Sequence, residues 1–362
     1  MDAEDYAAVP WYCRGKHLLE GEDGAKLEAD WMKLTSDPVV RLFAAVAEGE
    51  SSEVRAMLAS GVDPDPATPD EYAMTPLFTA AAFGDLDTAR VLVEGGADVD
   101  RRTANDGAGP VYYAAQSGHA AVCRLLLEAG ADANGACTSD HGGTPLYAAV
   151  QAGSLETVAA LLEFGADPNL ADGSGAVPLL AAAALDALGT VRMLLEKGAR
   201  PDGGKGPADE GEEQQRLDAP LHVAAEEGFT AVVDALLEGG AAVDGLDSSG
   251  ATALHAATRS GFLDVVEKLL DSGAEVNRRD EMRGETALYV ACLNGHADCV
   301  QVLLDRGADP RLETVWGGTC LKIAKLYGSD VICLALLAAM PGETLQSSDD
   351  ELWGAEEEDS DD

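Results

Sequence analysis

The sequence predicts an all-α solenoid of about nine helix–turn–helix repeats with extended loop tips, and three observations predict it. A short opening motif recurs at Thr75-Pro76-Leu77, Gly109-Pro110-Val111, Thr144-Pro145-Leu146, Val177-Pro178-Leu179, Ala219-Pro220-Leu221, Thr252-Ala253-Leu254, Thr286-Ala287-Leu288 and Thr319-Cys320-Leu321. The spacings are 34, 35, 33, 42, 33, 34 and 33 residues. Each copy precedes two short segments of helical apolar periodicity with a break between them. And each copy is too small to bury its own apolar face, so it needs neighbours of the same kind.

Residues 143–176 show how each element is specified. Thr144 suits a helix N-cap and Pro145 the first helical position, where no N–H is required. Leu146, Ala149 and Val150 then share one face. Gly153 ends that helix, and Leu155, Val158, Leu161 and Leu162 build an apolar face on a second. Gly165 stands where a left-handed C-cap is wanted, and Asp167-Pro168-Asn169 turns the chain away.

The period near 33 and the Thr-Pro-Leu-His-like opening resemble those of the ankyrin-repeat family over roughly residues 38–340. Two repeats keep the family's histidine, His222 and His255, which the resemblance implies is hydrogen-bonded between adjacent repeats. The others place Phe78, Tyr112, Tyr147, Leu180, Tyr289 or Lys322 there. The resemblance implies a fold and a concave recognition groove, but no activity.

Residues 1–36 are read as an N-terminal segment with a short capping helix, from Leu27, Trp31 and Leu34 at i, i+4 and i+7 and the aromatic Pro10-Trp11-Tyr12-Cys13. Repeats one to five are expected over 37–199. The first is degenerate, as terminal repeats of a solenoid are, and is followed by a proline-stiffened loop with an exposed-looking Tyr72. Repeat five departs most: Asp186 occupies the place of the inter-helix glycine, and Gly189 falls early in the second helix. Residues 200–218 are read as an acidic, Gly-rich disordered insertion and a soft joint. Repeats six to nine follow over 219–340, the last serving as a cap, and 341–362 as a disordered acidic tail.

The chain carries 65 acidic and 24 basic residues in 362, a net charge of −41. Its last twenty residues hold ten acids and no base. Such a balance argues against nucleic-acid or anionic-membrane partners, which need positive patches, and would steer a basic protein towards the surface. Cysteines in helical patterns without metal-type pairing read as buried thiols in a reducing compartment. No signal-like or membrane-length apolar run is found, so a cytoplasmic or nuclear monomer is expected. No nucleotide-binding, hydrolase, metalloprotease or EF-hand motif occurs. Four of the six histidines have repeat-pattern explanations. No catalytic residue, metal site or cofactor is therefore expected.

Recognition remains. The family alignment turns outward the two positions before each inter-helix glycine, including Phe83, Arg259 and Tyr327, and the tips add Tyr72, Arg101, Arg102, Arg278, Arg279 and Trp316. These are the residue types that dominate interface energies. In the tail, Trp353 could anchor a partner, and Ser347 and Ser348, each with an acid three residues on, resemble acidophilic-kinase sites. The leading expectation is a non-enzymatic scaffold or adaptor that binds proteins through the groove. An acidic escort for a basic client, ribosomal or histone-like, is the alternative, and a substrate-recognition subunit of a ubiquitin ligase a third.

Overall fold

The computed structural model describes residues 37–68, 72–138, 142–203 and 219–341. The expected capping helix within 1–36, most of the 200–218 insertion, and the tail with Ser347, Ser348 and Trp353 lie outside the described residues. Contacts divide the chain into two compact units, Met1–Ala208 and Asp209–Asp362, and each is taken by itself.

The first unit holds five helix pairs: α1 (Pro38–Ala47) and α2 (Ser51–Ala59), α3 (Pro76–Phe83) and α4 (Leu86–Glu94), α5 (Pro110–Gln116) and α6 (Ala120–Glu128), α7 (Pro145–Gln151) and α8 (Leu155–Glu163), α9 (Pro178–Ala184) and α10 (Leu188–Glu196). The second holds four: α11 (Pro220–Glu226) and α12 (Thr230–Glu238), α13 (Ala253–Ser260) and α14 (Leu263–Asp271), α15 (Ala287–Asn294) and α16 (Ala297–Asp305), α17 (Cys320–Leu326) and α18 (Asp330–Ala339). Within each unit the first helices of successive pairs stack on one another, and so do the second helices. The chain is thus a solenoid of nine repeats among the described residues.

The local signals act as their chemistry requires. The Thr144 hydroxyl accepts from the Tyr147 N–H at 3.2 Å, and Thr75, Thr286 and Thr319 cap α3, α15 and α17 in the same way. Where Gly109 replaces the threonine, no side-chain cap forms. One leucine from nearly every helix is wholly buried between repeats, among them Leu77, Leu92, Leu126, Leu146, Leu161 and Leu194 in the first unit and Leu221, Leu236 and Leu254 in the second.

Two ladders tie repeats together at a distance of one period. Along the loop tips, a carboxylate or amide oxygen accepts the backbone N–H one repeat on: Asp65 from Asp98, Asp100 from Asp132, Asn134 from Asp167, and in the second unit Asn277 from Asp309, all at 2.8–2.9 Å. Along the second helices, ion pairs cross the same interval, as with Arg55–Glu94 and Arg124–Glu163 in the first unit and Arg306–Asp271 in the second. These pairs are solvent-exposed and individually weak.

Repeat five is built as its sequence suggests. Asp186 takes φ +52° where the corresponding glycines have φ between +68° and +81°. Gly189 is the second residue of α10. Repeat nine differs from a polar cap in one respect: Val331 and Leu334 on α18 are exposed, whereas the previous repeat has Asp298 and Gln301 at those positions.

Candidate partner-binding surface

The expected recognition residues fall on the ends of the first helix of each pair and on the tips, and the structure separates them by what else they do. In the first unit Phe83 ends α3 and is 37% exposed, and Arg101 is exposed. Gln116 and Gln151 are exposed at the equivalent ends of α5 and α7. Tyr72, expected to be exposed, is half-buried, and its carbonyl accepts the Ala104 N–H at 2.9 Å. It belongs to the packing between two tips. Arg102 is also committed: its Nη1 donates to the carbonyls of Gly107 (3.0 Å) and Ala136 (2.8 Å), and its Nη2 lies 4.0 Å from Asp132. A guanidinium spanning two successive tips is a brace before it is a ligand-binding group.

The opening-motif position explains the rest of the interior. With histidine, the ring bridges repeats. His255 Nε2 pairs with the Glu285 carbonyl at 3.0 Å while Nδ1 takes the Thr252 N–H at 3.2 Å, an arrangement that fits the neutral Nε2–H tautomer. Burial pushes its pKa below the ordinary histidine value, against the opposing pull of the Glu285 carbonyl. His222 Nε2 reaches the carbonyls of Gly245 and Ala251. Without histidine, aromatics fill the space: Phe78 meets Tyr113 edge-on at 4.3 Å between ring centroids, and Tyr113 donates to the Asp106 carboxylate. Burial, then that hydrogen bond, pushes the Tyr113 hydroxyl far up.

His119 and His296, which follow repeat glycines, have a positional reason as well. The His296 ring packs over Gly261, where an added Cβ would come within 2.6 Å of it, and Nε2 pairs with the Arg259 carbonyl at 3.1 Å. Six described cysteines are buried free thiols. Burial raises the Cys123 thiol to about 12 and contact with Cys320, together with burial, raises that of Cys292. Thiols held protonated are poor nucleophiles. Among the described residues no three His, Cys, Asp or Glu side chains are grouped so as to hold a metal ion.

In the second unit the tips carry the surface. Trp316 is 74% exposed and Tyr327, at the end of the α17 segment, 62%. Arg278 is half-buried and paired with Glu275 at 3.6 Å, so the expected patch loses one member to a local ion pair. Arg259 and Arg279 are exposed and make no ion pair among the described residues. Arg259 lines a cleft of about 300 Å³ with Ser249, Asp280, Met282, Arg283 and Glu285. Sequence reading did not single out Met282 or Val315. Their only signal was an apolar residue at a tip otherwise polar.

Family models for ankyrin repeats match residues 42–137, 133–203 and 207–280 as three copies, and residues 269–324 as a further match. The chain belongs to the ankyrin-repeat family. Ankyrin repeats generally mediate protein–protein interaction and are typically non-enzymatic modules. No curated protein matches the chain. Among the described residues no helix is long and apolar enough to cross a membrane.

Proposed function

We infer that this ankyrin-repeat protein is a non-enzymatic scaffold or adaptor, and that a protein partner is held chiefly by the second unit's helix ends and tips. The observation that supports this is the coincidence, on Arg259, Arg279, Trp316 and Tyr327, of exposure with residue types that dominate interface energies. Phe83 and Arg101 offer a smaller set in the first unit. Tyr72, Arg102 and Arg278 are relegated to supporting roles by the bonds already described.

The escort reading draws on the net charge and on Trp353 in the acidic tail. Part of that acidity has another cause. Asp65, Asp98, Asp100, Asp132, Asp167 and Asp309 accept backbone N–H groups in the tips, so these acids are needed by the fold whatever it binds. The acids of the tail have no such account. A soluble cytoplasmic or nuclear monomer remains the setting in which we place the protein.

The test is affinity capture from cell extract with the full chain and with a variant carrying Arg259→Glu, Arg279→Glu, Trp316→Ala and Tyr327→Ala. Loss of the same captured proteins in the variant is expected. Identical capture by both chains overturns the groove-and-tip reading. Loss that instead follows neutralisation of the tail acids, with a basic protein as the captured species, favours the escort.

A further inference from the structure

Met282, Val315 and Trp316 are exposed apolar side chains on two successive tips of the second unit, and together make up its tip patch. Met282 is 68% and Val315 62% exposed, and the Val315 N–H donates to the Arg283 carbonyl at 2.9 Å, which locks the tips side by side. The same carbonyl register brings Val315 within 3.2 Å of where a Cβ on Gly284 would stand. Arg259 and Arg283 line the cleft beside Met282, Arg283 lying 3.9 Å from Glu285 and 60% exposed, and exposed Arg279 stands three residues before Met282. Of the two acids in the adjoining cleft, the Asp280 carboxylate accepts the N–H groups of Arg283 (2.5 Å) and Gly284 (2.9 Å), and Glu285 is buried. What faces solvent is therefore a set of apolar side chains beside arginines, with Glu281 and Glu313 the exposed acids of the two tips, in a chain whose net charge is −41.

The complement to such a surface is an extended segment with a large apolar side chain set between acids. Residues 343–362 contain one: Asp349-Asp350-Glu351-Leu352-Trp353, followed by Glu356-Glu357-Glu358-Asp359. We propose that residues 349–359 dock within the same chain onto this patch, Trp353 against Met282, Val315 and Trp316, with the flanking carboxylates at Arg259, Arg279 and Arg283.

The reach allows it. Described residues of the second unit run to Pro341, and Trp353 follows by 12 residues, a span of up to about 40 Å at 3.3–3.6 Å per residue. The patch lies on the tips joining the last three repeats, and packed helices stand about 8–10 Å apart. Tethering supplies a high effective concentration, so weak contacts suffice. Phosphate on Ser347 or Ser348 would add negative charge beside the arginines and tighten the contact. A partner seeking Trp316 and the arginines would have to displace the stretch.

The inference concerns the purified chain alone, so it and the scaffold reading can fail independently. The experiment uses the full chain and a full-chain variant with Asp349→Asn, Asp350→Asn, Glu351→Gln and Trp353→Ala. A labelled synthetic peptide of residues 343–362 is titrated onto each. We expect the peptide to bind the variant, whose patch is vacated, about ten-fold more tightly than the wild-type chain. Adding Arg279→Glu and Arg283→Glu to the variant should abolish that binding. Equal affinity for both chains, or no binding to the variant, overturns the proposal. So does a wild-type mass in light scattering that rises with concentration and falls to monomer in the tail variant, because the occupant is then a second copy.

Discussion

Repeat five offers the sharpest quantitative test of how the array is held together. Asp186 is exposed, with φ +52°, and no side-chain hydrogen bond or ion pair involves it among the described residues. An L-residue in the left-handed region costs roughly 1–2 kcal/mol relative to glycine, less for Asp than for most. Glycine returns roughly 0.5–1 kcal/mol of that through the greater entropy of the unfolded chain. Asp186→Gly should therefore stabilise the first unit by about 0.5 kcal/mol, with Asp186→Ala slightly destabilising. Gly189→Ala adds to this. An added Cβ would stand 3.5 Å from Leu155 Cδ2, an ordinary contact, and the helical position gains about 0.5–1 kcal/mol. The double variant should gain about 1–1.5 kcal/mol, close to ten-fold slower exchange of the α10 amides by native-state hydrogen exchange. Denaturant midpoints give a second reading, analysed without assuming a single transition, because repeat arrays unfold in segments. If Asp186→Gly and Asp186→Ala behave alike, the left-handed backbone is not what limits repeat five.

Three further outcomes follow from single contacts. Arg102→Ala removes two hydrogen bonds from a charged donor to carbonyls of successive tips. Discounted for the side chain's 45% exposure, the loss should be about 1 kcal/mol, and exchange should quicken at the tips around 107 and 136 first. Leu161→Ala empties a wholly buried site in α8 and should cost about 2–5 kcal/mol, read as a lowered thermal midpoint of the first unit. His255 is held neutral by burial, with its folded pKa below 6.5. The unfolded chain then binds the proton first, so the stability from neutral His255 is full above that value and is lost as pH falls through it. Glu285 runs oppositely, since burial raises its pKa and its cost is relieved on acidification. A Glu285→Gln background should therefore show the second unit losing stability from pH 7.5 to 5.5, and His255→Gln should flatten that slope. An unchanged slope would show that the ring is not the titrating group.

Most of the architecture was legible in the sequence because each repeat writes its instructions locally. Thr144-Pro145 starts a helix, Gly153 ends it, and Leu161 faces the neighbour, all within one period. The anomaly at Asp186 was legible for the same reason: eight glycines elsewhere announce the backbone that position must adopt. What the sequence could not separate was surface from brace. Arg101 and Arg102 are adjacent, yet one projects into solvent and the other spans two tips, because its acceptors are carbonyls contributed by residues 5 and 34 positions away. Tyr72 is tied down similarly, by the Ala104 N–H 32 residues on, which no residue pattern names; Arg278 is held by a local partner, Glu275, three residues before it. The acids of the tips read as undifferentiated negative charge until Asp65, Asp100 and Asp244 proved to be acceptors for N–H groups one repeat along. And only the backbone bond from Val315 to Arg283 sets the tips that carry Met282 and Trp316 side by side. Periodicity and capping chemistry act over a few residues and are written in order along the chain, so the sequence alone determined the repeat. The exposed surface depends on contacts made a full period away, and these exist only once the repeats have stacked.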